Sequence, residues 1–180
     1  MKNLKEYITE SKFDVKNNTD NVDESIKDQI KQFLNDNFRG ASSCKISDKP
    51  NADGKYEVSS TESILVVNKK ITSLTNGTFI WTNVGRNFNC RGCELLTSLE
   101  GTPKKIGGDF ICWGCELLTS LEGTPKKIGG DFNCFGCNSL TSLKGAPKEV
   151  SGDFYCRSCK GEFTEEDVKK VSNVKGNIIV

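Results

Sequence analysis

The sequence predicts a mainly β chain with minor α content: a parallel β-solenoid of about six coils, covered at its N-terminal end by a helix. Three observations carry this. Residues 88–153 say one phrase three times without a gap, FNCRGCELLTSLEGTPKKIGGD, FICWGCELLTSLEGTPKKIGGD and FNCFGCNSLTSLKGAPKEVSGD, and a fourth copy opens at Phe154. A period of this length marks an array whose units bury their apolar faces against their neighbours. Within a unit the apolar positions hold fixed offsets, as at Phe110, Cys112, Cys115, Leu118, Leu121 and Ile128. Ahead of the repeats stands a single helical pattern.

The elements follow in chain order. Residues 1–20 are polar, with Leu4, Tyr7 and Ile8 spaced for a helical turn or two, and read as a flexible leader. A helix is expected over 22–38. Asp20 or Asn21 caps it, Asp23 and Glu24 occupy its first turn, Gly40 follows its end, and Val22, Ile26, Ile30, Phe33 and Leu34 form its stripe. A hairpin follows between Cys44 and Ser60, turning at Asn51-Ala-Asp-Gly54. Residues 21–60 thus form a cap, and 61–180 one cooperative solenoid.

Inside a unit, Phe110 and Cys112 share one face of a strand, and Ile111 and Trp113 share the other. Gly108 and Gly114 suit positive-φ turns, and Pro125 sits in an extended return. Strands are expected near residues 63–66, 88–91, 110–113, 132–135, 154–157 and 178–180. Projecting backwards from ITSL at Ile71–Leu74 puts Leu65 at the Cys112 position and Asn68 at that of Cys115. Near the other end, Thr164-Glu-Glu-Asp167 reads as a capping box opening a short helix, and residues 174–180 match 106–112.

The segment F-x-C-x-x-C resembles the leucine-rich repeat signature L-x-L-x-x-(N/C)-x-L. That likeness implies a corner residue, here Cys115 or Asn68, bonding to backbone groups of the turn. The short unit with a Pro-containing return is similar to the bacterial subtype of that family. One departure is that Leu118 stands three positions after the corner Cys rather than two. The opening MKNLKEYITES resembles the N-termini of tailed-phage proteins, which implies a candidate processing tripeptide at Ile8-Thr9-Glu10. Under this likeness the chain belongs in the cytoplasm of an infected bacterium or in the virion.

Net charge is +1, so no global field draws the chain to nucleic acid or to an acidic membrane, and no apolar run reaches the ~18 residues of a membrane span. Four C-x-x-C pairs, Cys90/Cys93, Cys112/Cys115, Cys134/Cys137 and Cys156/Cys159, match a zinc-ribbon spacing. Their spacing also follows from the period alone, which favours buried structural thiols over zinc or redox chemistry. There is no histidine, and nine cysteines without an export signal indicate a reducing compartment. No metal or other cofactor is expected.

Function falls to the outward strand positions, where otherwise near-identical copies differ. The columns are Asn87/Asp109/Asp131/Asp153, Asn89/Ile111/Asn133/Tyr155 and Arg91/Trp113/Phe135/Arg157. Trp113, Phe135 and Tyr155, with Ile111, Arg91 and Arg157, are the candidate partner-binding residues, with adjacent aromatics expected within about 5–8 Å. The Asp column reads as turn-capping, with a bound cation as the alternative. Lys104, Lys105, Lys126, Lys127 and Lys148 read as a solvated rim. The expected activity is non-enzymatic protein binding, with a host or defence protein as candidate partner and no nucleic-acid or membrane partner. A packaged or structural head protein is the alternative. The oligomeric expectation is a monomer or a weak dimer through edge strands.

Overall fold

Each 22-residue unit makes one coil containing two strands of two residues each, as at Phe110–Ile111 and Lys127–Ile128. The structure is a computed structural model describing residues 4–180, with side chains from Asn21 onward. The side chains of Leu4, Tyr7 and the Ile8-Thr9-Glu10 tripeptide therefore lie outside the described residues.

The front sheet stacks Ile64–Val66, Phe88–Asn89, Phe110–Ile111, Phe132–Asn133, Phe154–Tyr155 and Ile178–Ile179 in parallel. Phe88, Phe110, Phe132, Phe154 and Ile178 stand in register. Their rings follow one another at 6.0, 5.7 and 4.8 Å between centroids, all fully buried. Each such ring contributes about 2–3 kcal/mol of burial. The return segments do more than pass back. Lys105–Ile106, Lys127–Ile128, Glu149–Val150 and Asn173–Val174 join Phe79–Val84 and Tyr56–Ser60 in a second parallel sheet. The apolar interior is shared between the two sheets.

The GGD at the end of each unit is read by the next coil. Gly114 has the expected positive φ of 67°, but Gly108 does not belong to that class. A Cβ on Gly108 would collide with Asn87 Oδ1, and one on Gly130 with Asp109 Oδ1. The glycine leaves room for the preceding coil's side chain.

The helix α1, Leu4–Asn37, begins well before the Asp20/Asn21 start that capping residues suggested. Ile30 and Leu34 are buried, and Phe33 lies 5.8 Å from Phe79 and 6.1 Å from Phe38. Val22, by contrast, points to solvent. Tyr56 pins the helix by donating its hydroxyl to Asp23 Oδ1 at 2.7 Å. The chain then adds Phe38–Arg39 antiparallel to Ile64–Val66, and Cys44–Ile46 antiparallel to Tyr56–Ser60, closing the N-terminal edge of both sheets. At the far end Thr164 caps α2, Glu165–Val171, in a complete capping box with Asp167.

The first corner differs from the projection. Ile64 pairs with Phe88 and Leu65 with Asn89, so Leu65 faces outward and Val66 takes the Cys112 place. The corner is one residue shorter, because Asn68 still accepts Ile71 N–H as Cys93 accepts that of Leu96. In later corners the second Cys ties its coil to the one before: Cys115, Cys137 and Cys159 donate to the carbonyls of Cys90, Cys112 and Cys134 at 3.2–3.3 Å. In the first corner the Lys69 ammonium bonds the equivalent Val66 carbonyl at 2.8 Å.

Candidate functional site

The corner that follows each front strand presents one side chain per coil to solvent. Gly92 N–H donates to the Trp113 carbonyl at 2.7 Å, Gly114 N–H to that of Phe135 at 2.9 Å, and Gly136 N–H to that of Arg157 at 3.0 Å. This ladder holds Arg91, Trp113, Phe135 and Arg157 in one row along the stack. Cys112 is fully buried while Trp113 is 46% exposed, as strand alternation requires, and Phe135 is 37% exposed. The two rings meet edge-on at 6.2 Å, a favoured aromatic geometry.

Other exposed apolar groups fall in the corners or just after them. Val67 occupies the Arg91 position of the short first corner, and Leu95 and Leu117 stand two residues past the corner cysteines. They are 39%, 44% and 45% exposed. Of the six large hydrophobic side chains exposed among the described residues, these three with Trp113 and Phe135 belong to the corners, and only Val22 does not. Leu95 and Leu117 were missed in the sequence because ELLTSL offers two leucines in a row and only the second is framework.

A groove of about 620 Å³ runs over the edge, lined by Lys69, Arg91, Trp113, Glu116, Phe135 and Asn138, with glycines on its floor. The Trp113 indole leans over Gly136 of the next coil, its Nε1 3.4 Å from where a Cβ would stand. Buried Trp81 donates its indole N–H to Leu74, whereas that of Trp113 has no partner among the described residues.

Tyr155 stands elsewhere. It pairs in register with Asn133 and, through it, with Ile111, so it belongs to the strand column rather than to the corner row. Its hydroxyl donates to Asp153 Oδ2 at 3.0 Å, turning the ring toward the Asp column. Ile111 is half-buried in that column, while Asn89 and Asn133 accept the N–H groups of Arg91 and Phe135 at 3.0 Å and shape those corners. The strand column therefore sets the corner, and the corner meets solvent.

The Asp column is a ladder between coils. Asn87, Asp109, Asp131 and Asp153 each accept the main-chain N–H of the equivalent residue one coil on, at 2.7–2.9 Å. These bonds, rather than capping of each residue's own turn, offset the stacking of like charges. The Asn177 N–H and the Tyr155 hydroxyl hold the Asp153 carboxyl below the usual carboxylate range.

All eight repeat cysteines are buried. Burial pushes the Cys156 thiol up to about 12; the Cys137 thiol and burial together push Cys112 well above its ordinary value. Among the described residues no three cysteine or acidic side chains converge as a metal site. Among the described residues no helix is long and apolar enough to cross a membrane. Comparisons with family models, with curated proteins and with solved structures gave no match to this chain.

Proposed function

We propose that this chain is a non-enzymatic protein-binding module whose corner edge, centred on Trp113 and Phe135, receives a protein partner. The observation that carries the reading is the exposed Trp113–Phe135 pair, which meets edge-on and lines one groove with Arg91 and Lys69. Such clusters mark interaction surfaces, and Trp and Arg are prominent among binding hot spots. Arg91 and Arg157 flank the ring pair, while Tyr155 and Ile111 extend the binding face into the neighbouring strand column. The thiol-to-carbonyl bonds of the corners support a leucine-rich-repeat type of coil. A tailed-phage setting, with a host or defence protein as partner, belongs to the same proposal and rests on the N-terminal likeness.

The test is affinity capture from bacterial lysate with the wild-type chain and with Trp113→Ala, followed by affinity measurement on the purified captured protein. Truncating the indole is expected to weaken binding by about 2 kcal/mol with little change in thermal stability. Equal binding by the two would remove the edge from the interface. Lys126→Ala, just before the return strand Lys127–Ile128, is expected to leave binding unchanged.

A further inference from the structure

The chemistry of the groove narrows what it accepts. Its charged and N–H groups are mostly donors: the Trp113 indole N–H, the Arg91 guanidinium and the Lys69 ammonium, set against one carboxylate, Glu116, with Asn138 and Ser158 as neutral neighbours. Lys69 bonds only main-chain carbonyls, those of Val66 and Arg91. Some cations of the coils pair with carboxylates, as in Arg86–Glu62, Lys127–Glu149 and Lys144–Glu122. Among the described residues no ion pair engages Lys69, Arg91 or Arg157. The edge is therefore an apolar centre flanked by cations that pair with no carboxylate side chain among the described residues; Arg157 Nε donates to the Val180 main-chain oxygen at 3.2 Å, which leaves the rest of its guanidinium open.

Spacing adds a second constraint. The Trp113 and Phe135 rings are 6.2 Å apart along the stack. In an extended peptide, side chains two residues apart point the same way and lie about 6.6 Å from each other. An extended segment running along the edge would set two alternate apolar side chains on the two rings. The side chains at the next alternate positions outward, two residues beyond each apolar one, would then face Arg91 at one end and Arg157 at the other.

Resting on the protein-binding reading above, we infer that the edge takes an extended partner segment with two apolar side chains at alternate positions, flanked by aspartate or glutamate. The carboxylates pair with Arg91 and Lys69 at one end and with Arg157 at the other. The apolar side chains cover the rings, and a backbone carbonyl accepts from the Trp113 indole. This is recognition of an extended chain by alternate pockets, with charge setting its register.

A displayed library of random peptides, selected in parallel on the full chain and on Trp113→Ala/Phe135→Ala, tests this. Both proteins are first checked for the same unfolding temperature. The expected result is a set of peptides specific to the wild type, with acidic residues flanking alternate apolar ones. Their affinity should fall at least about tenfold on Trp113→Ala. Selection on Arg91→Glu should exchange an acidic flank for a basic one. Wild-type-specific peptides with basic or uncharged flanks would overturn the inference while leaving the edge as a binding site. No enrichment, or equal enrichment on the double variant, would overturn both.

Discussion

The Asp109 carboxylate accepts the main-chain N–H of Asp131 in the next coil at 2.9 Å, standing where a Cβ on Gly130 would have to go. One relationship thus accounts for both the second glycine and the aspartate of GGD. Asp131→Ala is expected to cost about 1.5–3 kcal/mol, because it orphans the Asp153 N–H and removes a charge-assisted bond. Asp131→Asn should retain most of that stability, since Asn87 does the same work one coil earlier. Gly130→Ala should cost more than Asp131→Asn, as its methyl meets backbone as well as carboxylate. Chemical denaturation of the three variants checks the order.

In the corners, Cys115 donates to the Cys90 carbonyl from a fully buried site. Cys115→Asn is expected to be better tolerated than Cys115→Leu, because Leu supplies no donor and adds volume. Cys112→Ala removes one buried sulfur and should cost on the order of 1–2 kcal/mol. Thermal unfolding of the set decides it.

The buried thiols also set a pH dependence. Burial raises Cys44 to about 11 and Cys156 to about 12, and raises Cys134 in the same direction. The neighbouring coils' thiols, with burial, raise Cys93, Cys112 and Cys115 as well. Cys159 is held lower through its bond with the Cys134 thiol, and offsets one share. A folded thiol with a raised pKa stays protonated while its unfolded counterpart ionises near pH about 8.5. Its contribution is complete below that pH and declines as pH rises toward the folded value, by up to about 1.4 kcal/mol per pH unit for each thiol. Unfolding midpoints are therefore expected to be flat from pH 7 to 8 and to drop steeply from about pH 9. A flat profile through pH 10 would contradict the buried-thiol core.

The N-terminal cap is held by Phe38, whose ring lies 5.5 Å from Trp81 and 6.5 Å from Phe88. Phe38→Ala is expected to cost about 3–5 kcal/mol. Deleting residues 1–40 removes that ring, α1 and the edge strand over Ile64–Val66, and should give aggregation through the uncovered first coil. Light scattering during refolding separates that outcome from a merely destabilised monomer.

The sequence by itself determined the coil. A 22-residue period with apolar residues two apart leaves one arrangement in which Phe110 and Cys112 are buried and Trp113 is exposed. That alternation follows from local backbone geometry. The Thr164–Asp167 capping box and the hairpin turn at Asn51–Gly54 were legible for the same reason, since each is written in a few adjacent residues. Other features involve groups a full coil apart, and only the tertiary structure decided them. The pairing of return strands into a second sheet is one. The choice of the next coil's N–H by each Asp carboxylate is another, as is the turn of Tyr155 toward Asp153. The one-residue shortening of the first corner, which exchanged the roles of Leu65 and Val66, belongs with them. It depends on how the cap meets the stack, and no periodicity within the repeats records that contact.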